Sequence, residues 1–173
     1  MVSGGTSFIH GYTSSRYAGD GFTVAELVLV ITVIGILAGV SYLNLHAILP
    51  TSRDNNRQLD TSIIMDKLES YYETDPIAGG YTYPDTSVGP SGLAAIVNSQ
   101  DSVEAPGQSG NSLVMATSNA SQVPTTNQYI YQPLTRSGGL CTQASTSLCA
   151  RYILYYRSEM SGNVIILNSL RQQ

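Results

Sequence analysis

The chain has 173 residues, a net charge of −4 from 8 basic and 12 acidic side chains, two cysteines, two histidines, 12 tyrosines and no tryptophan. An acidic balance of this kind argues against a general nucleic-acid-binding role, which requires clustered Lys and Arg, and leaves room for no more than a local basic patch. The histidines are His10 and His46, so nothing after position 46 can supply a Ser-His-Asp or Cys-His nucleophilic site or a histidine metal centre. No glycine-rich phosphate loop or dinucleotide fingerprint is present.

Residues 1–21 hold a single fixed positive charge, Arg16, and end in Asp20-Gly21. From Leu27 to Ser52 there is no charged residue, and residues 27–40 are interrupted only by Thr32, Gly35 and Gly39. About 20 apolar residues at 1.5 Å per residue cross a hydrocarbon core of roughly 30 Å, so this run predicts a membrane-spanning helix. A secretory signal peptide would have a shorter apolar region and basic flanks, and a buried core helix would carry a polar stripe. Gly35 and Gly39 form Gly-x-x-x-Gly, which fits close helix approach and equally the ordinary glycine content of membrane helices.

At the threshold of the run stands Glu26, in Gly21-Phe22-Thr23-Val24-Ala25-Glu26-Leu27. A carboxylate in lipid costs about 2.5–3.5 kcal/mol at the helix centre and less toward the interface, so it calls for a partner. Residues 21–30 contain no Lys, Arg or His to provide one.

This segment, with Val30-Ile31 and Ile34-Gly35-Ile36-Leu37-Ala38 after it, closely resembles the class III signal of type IV pilins and of type II secretion pseudopilins. The resemblance covers about twenty residues. It implies cleavage between Gly21 and Phe22 by the prepilin peptidase and methylation of the new N-terminal Phe22. It also implies that Glu26 of an incoming subunit pairs with the amine of its neighbour's Phe22. An α-amine titrates near 7.7–8.0, so cleavage would create the missing cation. The implied protein is non-enzymatic and takes no cofactor. Its expected partners are identical or related pilins, the prepilin peptidase and the pilus assembly machinery, with the inner membrane as host before assembly and no nucleic acid. It would pass once through the inner membrane as precursor and lie in an extracellular filament afterwards. Two alternatives share parts of this reading: a type II secretion pseudopilin, and a single-pass anchored enzyme or binding domain. The chain departs from the family in two places. Family leaders often carry Lys or Arg where Asp20 stands, and the proline of the apolar segment comes late, as Pro50, where a kink or break is expected.

The resulting organisation is a leader at 1–21, a membrane or filament-core helix at 22–50 and an exported head at 51–173. Within the head, residues 51–73 read as an amphipathic helix with Leu59, Ile63, Leu68 and Tyr72 as its stripe, ended by Asp75-Pro76-Ile77-Ala78-Gly79-Gly80. Residues 76–127 are a variable region rich in Gly, Ser, Thr and Asn, broken by short turns or helices such as one around Leu93 to Val97. It contains the sequon-like Asn119-Ala120-Ser121. Residues 128–134, 151–157 and 163–170 are rich in Tyr, Ile, Val and Leu and predict three antiparallel strands. The fold expected is α+β: a long N-terminal helix packed on a small antiparallel sheet, as in the pilin family.

Cys141 and Cys149 fall on the side that the pilin topology exports, which favours a disulfide worth roughly 2–3 kcal/mol in the chain-entropy model. The major pseudopilins hold calcium in a head loop, which makes Asp101 and Glu104 weak metal-ligand candidates. A solvated loop is the plainer reading of that pair. No catalytic residue is assigned.

Overall fold

The computed structural model describes residues 21–74, 81–142 and 148–171; within helix α1 the side chains of residues 43–47 are not described. All of the predicted leader at 1–21 except Gly21, and the helix-ending segment at 75–80, lie outside the described residues. The chain divides into two compact units, residues 1–42 and 43–173.

Helix α1, Val24–Thr74, runs 51 residues and continues through Pro50. Of the kink or break expected there, the break does not occur. Proline in a helix costs about 3 kcal/mol through one lost hydrogen bond and a clash with the turn before it. Four residues later the helix is bonded to the sheet, because the Asp54 carboxylate accepts from Ser158 Oγ at 2.7 Å and from Glu159 N–H at 2.8 Å. Tertiary contacts of this kind outweigh a local defect.

The head sheet has four strands in the order β1 (Leu113–Met115), β2 (Tyr129–Thr135), β3 (Cys149–Arg157), β4 (Val164–Asn168). β2, β3 and β4 match the three predicted strands to within two residues and pair antiparallel. β1 corrects the reading: it is parallel to β2, with Leu113 opposite Tyr129, so the sheet is mixed. Three residues inside a polar region leave no periodic signal to find. Between α1 and β1 come a 3-10 turn, Thr86–Val88, helix α2, Gly89–Val97, which is the turn or helix expected around Leu93, and the short α3, Gln100–Val103. Asp85 caps the 3-10 turn through Ser87 N–H at 2.7 Å, and α2 ends on Asn98 in the left-handed region.

The core lies between α1 and one face of the sheet. Ile64, Leu68 and Tyr72 pack with Tyr129, Tyr131, Tyr152, Leu154 and Tyr156, and α2 adds Leu93 and Val97. The stripe that α1 buries is Arg57, Thr61, Ile64, Leu68 and Tyr72, at steps of four, three, four and four. Leu59, expected on it, is 59% exposed, and Ile63 is half-buried. The helical period was right but its first positions are filled by an arginine and a threonine, whose polarity hides them. With almost no Phe available, the buried rings are tyrosines, and each hydroxyl needs an acceptor. Tyr83 and Tyr152 donate to the two oxygens of Glu69 at 2.8 and 3.3 Å, Tyr129 to Asp60 at 2.7 Å, and Tyr131 to the Pro84 carbonyl at 2.8 Å. Burial pushes all four phenols well above their ordinary value, so they stay donors at any physiological pH.

Candidate functional site

Residues 21–23 are exposed and non-helical, and α1 begins at Val24. Thr23 starts it: its Oγ1 accepts from Glu26 N–H at 3.2 Å, and its carbonyl accepts from the N–H groups of Glu26 and Leu27 at 3.1 Å each. Thr23-Val24-Ala25-Glu26 is therefore a Thr-x-x-Glu helix start, a signal present in the sequence and overlooked there. A carboxylate in the first turn also meets the positive end of the helix dipole, worth about 0.3–1 kcal/mol. Glu26 thus has a local reason to be where it is. That reason is incomplete, because among the described residues no group donates to its carboxylate. The Gly21–Phe22 bond lies immediately ahead of this cap, in backbone that a protease can engage without unwinding a helix.

From Val24 to Tyr42 the helix has a mean hydropathy of 2.4 over 19 residues, none of it buried by the rest of the described structure. Phe22 is 82% exposed, and Leu29, Ile36 and Leu37 are each above 60%. This one N-terminal helix is long and apolar enough to cross a membrane. Its polar interruptions are satisfied within the helix: Thr32 Oγ1 donates to the Val28 carbonyl at 2.7 Å and Ser41 Oγ to the Leu37 carbonyl at 2.9 Å. Neither hydroxyl then needs water. A Cβ at Gly35 or Gly39 would meet nothing within 4 Å, so the backbone there is bare on the isolated chain.

In the head, one charged cluster was not foreseen. Arg57, 2% exposed, donates Nε to the Thr126 carbonyl at 3.0 Å, Nη1 to Asp54 at 2.8 Å and Nη2 to Glu159 at 3.3 Å, while Arg53 holds the other Glu159 oxygen at 2.7 Å. Asp54 also receives Ser158 Oγ, Glu159 N–H and Met160 N–H, so α1 grips the β3–β4 turn. Burial alone would raise the Asp54 carboxyl, but these hydrogen bonds outweigh it and hold the group below its ordinary value. At the other end of the head helix, Glu69 and Glu73 pair with Arg171, whose guanidinium lies 5.1 Å from the Tyr72 ring centre.

The sulfurs of Cys141 and Cys149 stand 2.03 Å apart, at disulfide distance and fully buried, joining the turn after β2 to the start of β3. Backbone bonds carry the constraint further, from Thr86 N–H to the Cys141 carbonyl and from Tyr83 N–H to the Cys149 carbonyl. Residues 143–147, inside this ring, lie outside the described residues. Asp101 is exposed on α3, and Glu104, just after it, accepts from Gln100 Nε2 at 3.1 Å. The two line a hollow of about 280 Å³ with Asp60. Among the described residues no group of three or more His, Cys, Asp or Glu is arranged to hold a metal ion. Asn119 is exposed in the loop ahead of β2.

Compared with known proteins, the chain matches no family model, no curated protein and no solved structure.

Proposed function

We propose that this chain is a type IV prepilin, a structural subunit that prepilin peptidase trims between Gly21 and Phe22 and that polymerises through its N-terminal helix. The observation that carries the reading is the pairing of a capped helix start with an unanswered carboxylate and an exposed 19-residue helical span of mean hydropathy 2.4. A surface of that kind must be covered, first by lipid and then by the same helix of other copies. Glu26 has no cation among the described residues, and the α-amine released at Phe22 supplies one of the right sign in a place where an unpaired charge is costly. Proteolysis would then license assembly, and the head, which has a core of its own, would face outward and serve surface tasks such as adhesion or twitching.

The test is the N-terminal sequence and mass of protein sheared from the cell surface. A chain beginning at methylated Phe22 and recovered in filaments supports the proposal. An intact chain from Met1 kept in the membrane overturns it in favour of an anchored domain. A trimmed chain that never leaves the periplasm moves the assignment to a pseudopilin. Within the same experiment, Glu26→Ala should be trimmed normally yet yield far fewer filaments, and a wild-type yield would remove Glu26 from the mechanism.

A further inference from the structure

The ion pairs of the head use only part of its charge. Arg53, Arg57 and Arg171 are matched to Asp54, Glu69, Glu73 and Glu159. Where β2 ends, Arg136 and Arg151 meet no carboxylate among the described residues. Arg136 is exposed in the turn that follows β2. Arg151 lies opposite Leu134 on β3 and reaches the same turn, its Nη2 at 3.5 Å from the Arg136 carbonyl, the outer limit of a hydrogen bond. Its Nε is buried without a partner, unlike every other side-chain nitrogen or oxygen buried among the described residues. The guanidinium of Arg151 is thus incompletely satisfied among the described residues.

The opposite situation holds where β2 begins. Tyr129, its first residue, is bonded to Asp60, and Asp60 shares its hollow with Asp101 and Glu104, neither of which has an ion pair among the described residues. The hollow is lined by no Lys or Arg. Burial chiefly, and the neighbouring Asp101 in part, lift the Asp60 carboxyl above its ordinary value despite the Tyr129 hydroxyl and Arg57. β2 has seven residues, so the two ends stand roughly 20 Å apart. Helix α1 gives a similar figure: Asp60 lines the acidic hollow and Tyr72 a cleft beside Arg136, and twelve residues of helix span about 18 Å.

The geometry points to a head-to-tail contact between copies of this chain, in which Arg136 and Arg151 of one head receive Asp101 and Glu104 of the next. A basic patch and an acidic patch at opposite ends of one domain can be joined by translation, each copy offering one patch to each neighbour. Joined so, the contact is heterologous and open-ended, the symmetry from which filaments grow, whereas a two-fold axis would close the same patches into a dimer that sedimentation reads as a fixed size. The chain itself carries both halves of the interface in equal number, which a foreign anion does not. As a feature of filaments this rests on the pilin reading, but the contact itself requires only the heads. Arg157 does not compete, since its Nε is spent on the Gly162 carbonyl inside its own hairpin.

The test is a charge exchange in the full-length chain, in detergent at low salt, with association followed by sedimentation. R136E/R151E makes both ends acidic and D101R/E104R makes both ends basic, so each variant alone should associate about tenfold more weakly than wild type or worse. An equimolar mixture should recover wild-type association, because the two variants can alternate. Arg136→Glu alone, at an exposed site, should give part of the loss and guards against misfolding of the double variant. Raising the salt to about 0.5 M should weaken the wild type in the same sense. Variants that associate like wild type overturn the proposal. So does a mixture that fails to recover, which would give the arginines to some other anion. Trimming at Gly21 and filament formation are scored separately: wild-type filaments indifferent to these charges sink the contact and leave the pilin reading. Charge-dependent association without filaments does the reverse.

Discussion

Helix α1 contains two regions built on opposite principles. Over Val24–Tyr42 the one charged residue is Glu26 in the first turn, the rest are apolar, small or Thr, Ser and Tyr, and none of that surface is buried by the described residues. Over residues 54–72 one stripe is buried, the flanks are charged, and the helix bonds to the sheet through Asp54, Arg57, Asp60 and Glu69. Beyond Glu26 the first region is apolar all round and has no preferred face, and nothing among the described residues covers it. The second has a preferred face because a sheet in the same chain answers it. A helix can be regular throughout and still have its stability decided by different surroundings in its two parts.

The largest expected effect breaks the second region alone. Arg57 is buried among Asp54, Glu159 and the Thr126 carbonyl, and Arg57→Ala leaves Asp54 without its cation, Glu159 with Arg53 alone and the Thr126 carbonyl without this donor. Removing one partner of a buried pair costs about 3–5 kcal/mol. Thermal unfolding of the head, followed by circular dichroism in detergent, should shift down accordingly, while the fraction of chain in the membrane stays constant. A second change does the converse. Ile34→Asp places a carboxylate in the middle of the apolar run, where lipid charges about 2.5–3.5 kcal/mol for it. Alkaline extraction should release more of the variant from membranes, with the head melting where the wild type does. If both variants altered both readouts, the two regions would not be independent.

Acid sharpens the comparison further. The folded Asp54 carboxyl lies below its ordinary value, so its contribution is complete above the unfolded value near 3.9 and disappears as the pH falls through the folded one. Asp54→Asn should therefore destabilise the head by about 1–3 kcal/mol at pH 7, the scale of hydrogen bonds to a charged group. The gap to wild type should begin to narrow as the pH falls below about 3.9 and close only beneath the folded value. A gap that does not narrow at all on acidification, over the range in which the head stays folded, would mean that Asp54 acts through shape, not charge.

How much of this was readable from the sequence follows the same division. The apolar run announces itself, because a stretch from Leu27 to Ser52 without charge admits few structures. The three longer strands were visible because Tyr, Ile, Val and Leu cluster there. β1 was not, since Leu113-Val114-Met115 is a strand only by virtue of lying beside Tyr129–Tyr131. The same limit hid the clamp. Nothing local marks Arg57 as buried, and its partners Thr126 and Glu159 are 69 and 102 residues away. Thr23 is the opposite case, a local signal passed over because Glu26 three residues on drew a longer-range explanation.

The smallest effect tests the residue that the periodicity misplaced. Leu59 and Leu68 look alike on a helical wheel drawn from the apolar residues, yet Leu59 is 59% exposed and Leu68 fully buried. The difference follows from Arg57 and Thr61 taking the inward positions of the first turns, which rotates the stripe so that Leu59 points to the rim of the acidic hollow beside Asp60. Leu68→Ala should cost about 2–5 kcal/mol, transfer and cavity together. Leu59→Ser should fall within about 0.5 kcal/mol of wild type, as surface changes do. Comparable losses at both positions, measured by denaturant unfolding of the two variants side by side, would return Leu59 to the core and put the polar stripe of Arg57 and Thr61 in question.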